Sequence, residues 1–205
     1  MGILDRLSSQ SGDRTETANK RAAVRVLKQP ELLDEIAGGL ASSDPKLAGD
    51  CAEVMTLVAA EKPELVAMYA DALVAQLSHK DTRVRWEVTH SLADIAAHHP
   101  SKVRSILPTL AATIKRDKSV IVRDYAIQAL GEYGHTSAAA AREVWPYLRE
   151  ALTLWDGRHA GKALEAISKL DDSDDALRMQ ARDAAQGFRD HPSARVRTLA
   201  ERLAK

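Results

Sequence analysis

The apolar positions of this chain fall in stripes of helical period, and the stripes recur. In "KDTRVRWEVTHSLADIAAHHP", residues 80–100, Val84, Val88, Leu92 and Ile95 follow at steps of four, four and three. That spacing lines one face of an α-helix. Asp81 stands just before the stripe, where a carboxylate accepts from the free amides of a first turn. Pro100 ends it, because proline disfavours the helical region for the residue before it.

The same stripe reads Leu47, Cys51, Met55 and Val58, then Val122, Ala126, Leu130 and Tyr133, then His159, Ala163, Ile167 and Leu170, and last Val196, Ala200 and Leu203. The first members stand at 47, 84, 122, 159 and 196, separated by 37, 38, 37 and 37 residues. Three residues before each stands a helix-capping type: Asp44, Asp81, Ser119, Asp156 and Ser193. A second stripe follows each first one. It aligns Val66 with Val103, Leu73 with Leu110 and Leu77 with Ile114, and continues with Val144, Leu148 and Leu152. A weaker version uses Leu177, Ala181, Ala184 and Phe188. Upstream, "TANKRAAVRVLKQ" and "ELLDEIAGGLA" form a first pair.

Helix pairs repeated at this period predict an all-α fold, a right-handed α-solenoid of about five pairs with the last incomplete. Each pair buries its stripes only against its neighbours. Residues 15–205 are assigned to the solenoid, and residues 1–14 to an N-terminal extension. "SSQSGDRTE", residues 8–16, has linker composition, and Ile3, Leu4 and Leu7 predict a short loose helix before it. At the other end Glu201, Arg202 and Lys205 surround a thin stripe, as in a polar terminal cap.

At these residues the chain resembles the HEAT-repeat family. The resemblance rests on the "D-x-x-V-R" opening of residues 81–85, the Val122-Arg123 and Val196-Arg197 pairs, and "ILPTL" with its early Pro108. It departs at Leu47-Ala48 and His159-Ala160, where Val-Arg is missing. The resemblance implies an extended groove used to bind other proteins, with no cofactor. Two enzymatic relatives are tested against the residues. HEAT-type deoxyhypusine hydroxylases hold iron with His-Glu dipeptides, and this chain has none. HEAT-like alkylpurine DNA glycosylases use Trp with Asp. Here His90 lies four residues after Trp86 and Arg149 four after Trp145, while Trp155 and Asp156 are neighbours in a turn.

Composition narrows the rest. Hydrophobic residues make up 45% and aromatics only 4%, so the core is built from Ala and Leu, strong helix formers. Twenty-nine basic residues balance 29 acidic ones, which argues against a polyelectrolyte partner for the whole molecule. The single cysteine, Cys51, leaves no intrachain disulfide and fits a reducing, cytoplasmic setting. No apolar run is long enough for a signal-peptide core or a membrane span. No nucleotide-binding glycine loop or nucleophile elbow occurs, and no His spacing suits a zinc helix. No catalytic, cofactor or metal residue is assigned.

Candidate binding residues come from aligned columns. The position two after each stripe start reads Gly49, Trp86, Asp124, Gly161, Thr198, and the next reads Asp50, Glu87, Tyr125, Lys162, Leu199. Both columns are mostly polar or small and are expected to face solvent or a neighbouring turn. Trp86 and Tyr125 stand out within them, and Trp155 stands out against Ser43, Lys80 and Lys118. Each aromatic is either a plug between repeats or a surface anchor. Trp145 and Tyr133 align with core positions. Arg116 and Lys118 belong to a local basic cluster suited to an acidic or phosphate-bearing partner, and "DDSDD", residues 171–175, is its acidic counterweight. Arg85, Arg123 and Arg197 form one column, expected to bridge to an Asp of an adjoining turn. These residues predict a non-enzymatic scaffold or adaptor, monomeric or weakly oligomeric, that binds a protein partner. Nucleic-acid binding and an accessory place in a larger enzyme complex are the alternatives.

Overall fold

In the computed structural model, which describes residues 2–12, 15, 17–170 and 173–205, the stripes become helices and no strand is present among the described residues. Two units divide at Lys102 and Val103. The first unit holds a 3-10 turn Leu4–Arg6, then α1 (Ser8–Ser11), α2 (Thr17–Lys28), a second 3-10 turn Pro30–Leu32, α3 (Leu33–Gly39), α4 (Pro45–Glu61), α5 (Pro63–Ala67), α6 (Ala70–Val74) and α7 (Thr82–Ile95). The short α8 (Pro100–Ser105) carries the division. The second unit holds α9 (Leu107–Arg116), α10 (Val120–Gly134), α11 (Ala138–Ala151), α12 (Ala160–Ile167), α13 (Asp175–Gln186) and α14 (Ala194–Leu203).

In the first unit α2, α4 and α7 pack in a row, and in the second α10, α12 and α14 do the same. These are the first helices of successive pairs. Their stripes are the core: Val84, Val88, Leu92 and Ile95 are at most 1% exposed, as are Val122, Ala126 and Leu130. Tyr133 and Trp145 are buried, as their columns predict. Leu47 is only half-buried, so the first-unit stripe starts one turn later than its alignment.

The row is close because its facing residues are small. A Cβ added to Gly131 would lie 2.8 Å from the Cβ and 3.0 Å from the Cα of Ala166. The second helices are less regular. Pro108 cannot donate to the carbonyl four residues back, and its ring crowds that carbonyl, so the stripe from 100 to 116 breaks at Ile106 into α8 and α9. Pro146, by contrast, sits inside a continuous α11.

Three of the five caps act as expected. Asp44 accepts from the Lys46 amide at 2.9 Å, Asp81 from Arg83 at 2.8 Å, and Ser119 from Val122 at 3.4 Å. Ser193 occupies the cap position of α14 without a capping hydrogen bond from its hydroxyl. Asp156 is not a cap. Trp155, Asp156 and Gly157 all take left-handed backbone conformations, with φ of 56°, 55° and 71°, so the helix starts only after His159.

The described N-terminal residues, read above as an extension, pack onto α2 and α4. Ile3 and Leu7 are buried, the Ser8 amide donates to Asn19 Oδ1 at 2.9 Å, and the Ser9 amide donates to Asp50 Oδ2 at 2.7 Å. Asp13, Arg14 and Glu16 of the predicted linker, and Asp171 and Asp172 of the acidic run, lie outside the described residues.

Candidate functional site

The arginine column acts first within its own repeat. Arg85 Nη1 donates to the carbonyls of His79 at 2.8 Å and Lys80 at 3.1 Å. Arg197 Nη1 does the same to His191 at 2.8 Å and Pro192 at 2.9 Å, and Arg123 Nη1 to Asp117 at 2.6 Å. Each guanidinium therefore folds back from the first turn of its helix to the carbonyls that enter that turn. These backbone contacts lie within one repeat, beside the bridge to an adjoining turn expected of the column. A planar fork of five donors suits this, since one nitrogen can hold two carbonyls.

Arg123 also crosses to the next repeat, and its partner is a histidine. Arg123 Nε donates to His159 Nε2 at 2.8 Å. Since Nε2 accepts, the ring proton sits on Nδ1, which donates to Asp124 Oδ1 at 2.7 Å. Arg123 and His159 are both buried, while the Asp124 side chain is 38% exposed. Burial, reinforced by the nearby Arg158 charge, pulls the Arg123 guanidinium below its ordinary value, against Asp117 and Asp124. A His at the stripe start, where other repeats have Val or Leu, thus supplies an acceptor for a buried cation.

This cation carries Trp155. The Arg123 guanidinium carbon lies 3.9 Å from the Trp155 ring centre, and Trp155 Nε1 donates to the Ile114 carbonyl at 2.9 Å. The indole is fixed on one face and at its polar edge, yet remains 41% exposed. Its turn is strained. A non-glycine residue in a left-handed conformation costs on the order of 1–3 kcal/mol, and here two stand in succession. Asp tolerates this conformation, but a bulky Trp does not unless its surroundings hold it.

The other candidates divide around this turn. Arg116 and Lys118 follow Ile114, whose carbonyl holds the indole. Both are exposed and, with Arg158, make no ion pair among the described residues, whereas Lys115 pairs with Glu150 at 2.8 Å. Trp86, in the first unit, and Tyr125, in the second, are half-buried.

A buried polar cluster in the first unit was not anticipated. Asp50 and Glu87 belong to a column expected to face solvent or a neighbouring turn, and both are buried. Arg83 Nη2 donates to Asp50 Oδ1 at 2.9 Å and to Glu53 Oε2 at 2.6 Å, and Asn19 Nδ2 donates to the same two oxygens at 2.9 and 2.7 Å. Burial pushes the Asp50 carboxyl up, but hydrogen bonds from Asn19, Ser9 and Arg83 outweigh it and hold it below its ordinary value. The same bridge recurs in the second unit, where Arg195 donates to Glu165 at 3.1 Å. Both pairs are 30 residues apart. An acidic residue six after one stripe start and an arginine one before the next was the signal in the sequence.

Among the described residues no group of three His, Cys, Asp or Glu is arranged to hold a metal ion, and no helix is long and apolar enough to cross a membrane. Burial pushes the Cys51 thiol up to about 12, with the Asp50 and Glu35 charges adding to it.

No protein-family model matches the chain, and no curated protein matches it. Solved structures do. A designed armadillo repeat protein in complex with the peptide (KR)4 is 14% identical with a TM-score of 0.77, covering 98% of this chain and 96% of that one. An engineered protein from a structural genomics programme is 21% identical with a TM-score of 0.73, covering 99% and 97%. A computationally designed armadillo repeat protein for modular peptide recognition is 14% identical with a TM-score of 0.70, covering 98% and 97%. At these identities the likeness is one of fold, and the chain has an armadillo-like, all-α helical repeat fold.

Proposed function

We propose that the protein is a non-enzymatic scaffold of HEAT type that binds a protein partner, with Trp155 as an anchor. One observation carries this reading: a strained turn holds a large aromatic out of the core, half-exposed and already ordered by Arg123 and the Ile114 carbonyl. Strain of this kind persists where the surroundings over-determine it, and such positions cluster at functional sites. An ordered indole loses little side-chain freedom on binding, which is why Trp dominates interface hot spots. Arg116, Lys118 and Arg158 give the same surface unpaired positive charge, which favours a partner with acidic residues. The HEAT assignment draws on the Arg85, Arg123 and Arg197 column and on Pro108. The repeat-protein fold is shared with a designed protein in complex with the peptide (KR)4 and with one designed for modular peptide recognition.

The test is capture from a lysate of the source cells on immobilised wild-type chain and on Trp155→Ala, with urea unfolding of both. Proteins retained by wild type and lost by a still-folded variant support the reading. Equal retention by both removes Trp155 as the anchor. A parallel titration with single- and double-stranded DNA addresses the alternative. Binding that falls steeply with salt would report phosphate contacts and replace the protein partner by nucleic acid.

A further inference from the structure

The second unit contains a cleft of about 200 Å³ between α12, α13 and α14 that the Trp155 surface does not use. Its floor is apolar, formed by Ile167, Leu177 and Leu203, and among the described residues its lining carries no acidic side chain. Arg182, Arg202 and Lys205 stand at its rim, all exposed, and none makes an ion pair among the described residues. Arg178, also at the rim, is occupied by Asp175.

The cleft follows from the sequence. Where α11 buries Val144, the position 37 residues on in α13 is Ala181, which lines the cleft. The smaller side chain leaves volume between the last helices that α14 does not fill. Water would occupy an apolar floor at a cost, and three unpaired cations at one rim repel one another. An anionic, partly apolar occupant relieves both.

We propose that this cleft docks an acidic peptide segment, with one large apolar side chain on the floor and flanking Asp or Glu carboxylates on Arg182, Arg202 and Lys205. Two observations favour a peptide over a small amphiphile. The volume lies below the roughly 300–1,000 Å³ of small-molecule pockets and suits one side chain. The cations come from two helices and the segment after them, so they match several carboxylates along a chain and not one headgroup. The inference shares with the function above a protein partner, but it uses different residues.

The test uses the full chain and a short fluorescein-labelled peptide of Asp and Glu around one central Leu, titrated by fluorescence anisotropy at low salt. Saturable binding is expected, weakened about tenfold or more by Ser in place of Leu and by the double variant Arg182→Glu, Arg202→Glu. Trp155→Ala should leave it unchanged, so loss at one site is separable from loss at the other. Circular dichroism and urea midpoints check that the variants fold. If the double variant does not fold, the salt dependence of wild-type binding decides: affinity must fall as salt rises. Binding insensitive to salt, to the charge reversal or to the Leu substitution overturns the proposal. So does equal binding of a peptide with Lys for every acidic residue, or saturable binding of decanoate without binding of the peptide.

Discussion

The guanidinium of Arg123 sits 3.9 Å from the ring centre of Trp155, so a buried cation and a half-exposed indole share one contact surface. The first expected outcome concerns that pair. Arg123→Ala should destabilise the fold by about 2–4 kcal/mol, because it leaves His159 Nε2 and the Asp117 carbonyl without a donor and opens a gap beneath the indole. Arg123→Lys should recover little, since an ammonium cannot stack on the ring while serving both acceptors. Urea unfolding followed by tryptophan emission checks both. A midpoint for Arg123→Ala equal to wild type would remove the pair from the list of stabilising contacts.

The second concerns the core stripes. Leu92→Ala and Leu130→Ala each remove a side chain at most 1% exposed from between packed helices. Each should cost roughly 2–5 kcal/mol through lost burial and the cavity left behind. Lys118→Ala, on an exposed side chain, should stay within about 0.5 kcal/mol.

Two glycines should respond in opposite directions. Gly131→Ala forces a methyl to within 2.8 Å of the Ala166 Cβ and 3.0 Å of its Cα, and backbone cannot swing aside. A loss of about 1–3 kcal/mol is expected. Gly161→Ala meets only Val196 Cγ2 at 3.4 Å, an ordinary contact, and should be neutral or gain up to about 1 kcal/mol by restricting the unfolded chain. Thermal midpoints of the two variants, measured side by side, test the ordering.

Acid should act through Asp50. Its carboxyl is held below its ordinary value in the folded chain, so the folded state binds this proton more weakly than the unfolded state does. The stabilisation it contributes is present above the unfolded carboxyl range and is lost as pH falls through the folded value. Asp50→Asn should be clearly less stable than wild type at neutral pH, with the difference shrinking under strongly acidic conditions. A difference that stays constant from neutral to acid pH would mean that the carboxylate charge does not matter.

Tyr133 offers the alkaline counterpart. Burial, and the hydrogen bond it donates to Glu143 Oε2 at 2.6 Å, raise its phenol to about 12. A raised value means its contribution is complete below the ordinary phenol range and is lost as pH rises toward 12. Glu143→Gln should lower that midpoint in ultraviolet titration of phenolate.

Much of the fold was legible because it rests on local rules. A repeated stripe and a repeated capping residue located α4, α7, α10 and α14 at or near their starts. Asp156 misled because a cap works only if the next residues turn helical, and the left-handed run Trp155–Gly157 prevents that. Asp50 and Glu87, in a column read as facing solvent or a neighbouring turn, are buried because polar side chains also pair between stacked helices. Trp155 could be singled out by its column, but the cation beneath it could not. Arg123 lies 32 positions away, and nothing local says that its guanidinium turns toward the indole.

The arginine that reaches back six residues to a carbonyl has a kinetic meaning. Arg85 to His79, Arg123 to Asp117 and Arg197 to His191 are contacts that close almost no chain. The bridges between helices named above span only one repeat, 30 residues from Glu53 to Arg83 and 36 from Arg123 to His159. Loop-closure entropy grows slowly with length and is small for such spans. Contacts this local give a low contact order, and chains of low contact order fold fast. Each arginine hook closes within its own repeat, so its formation does not wait on a neighbour.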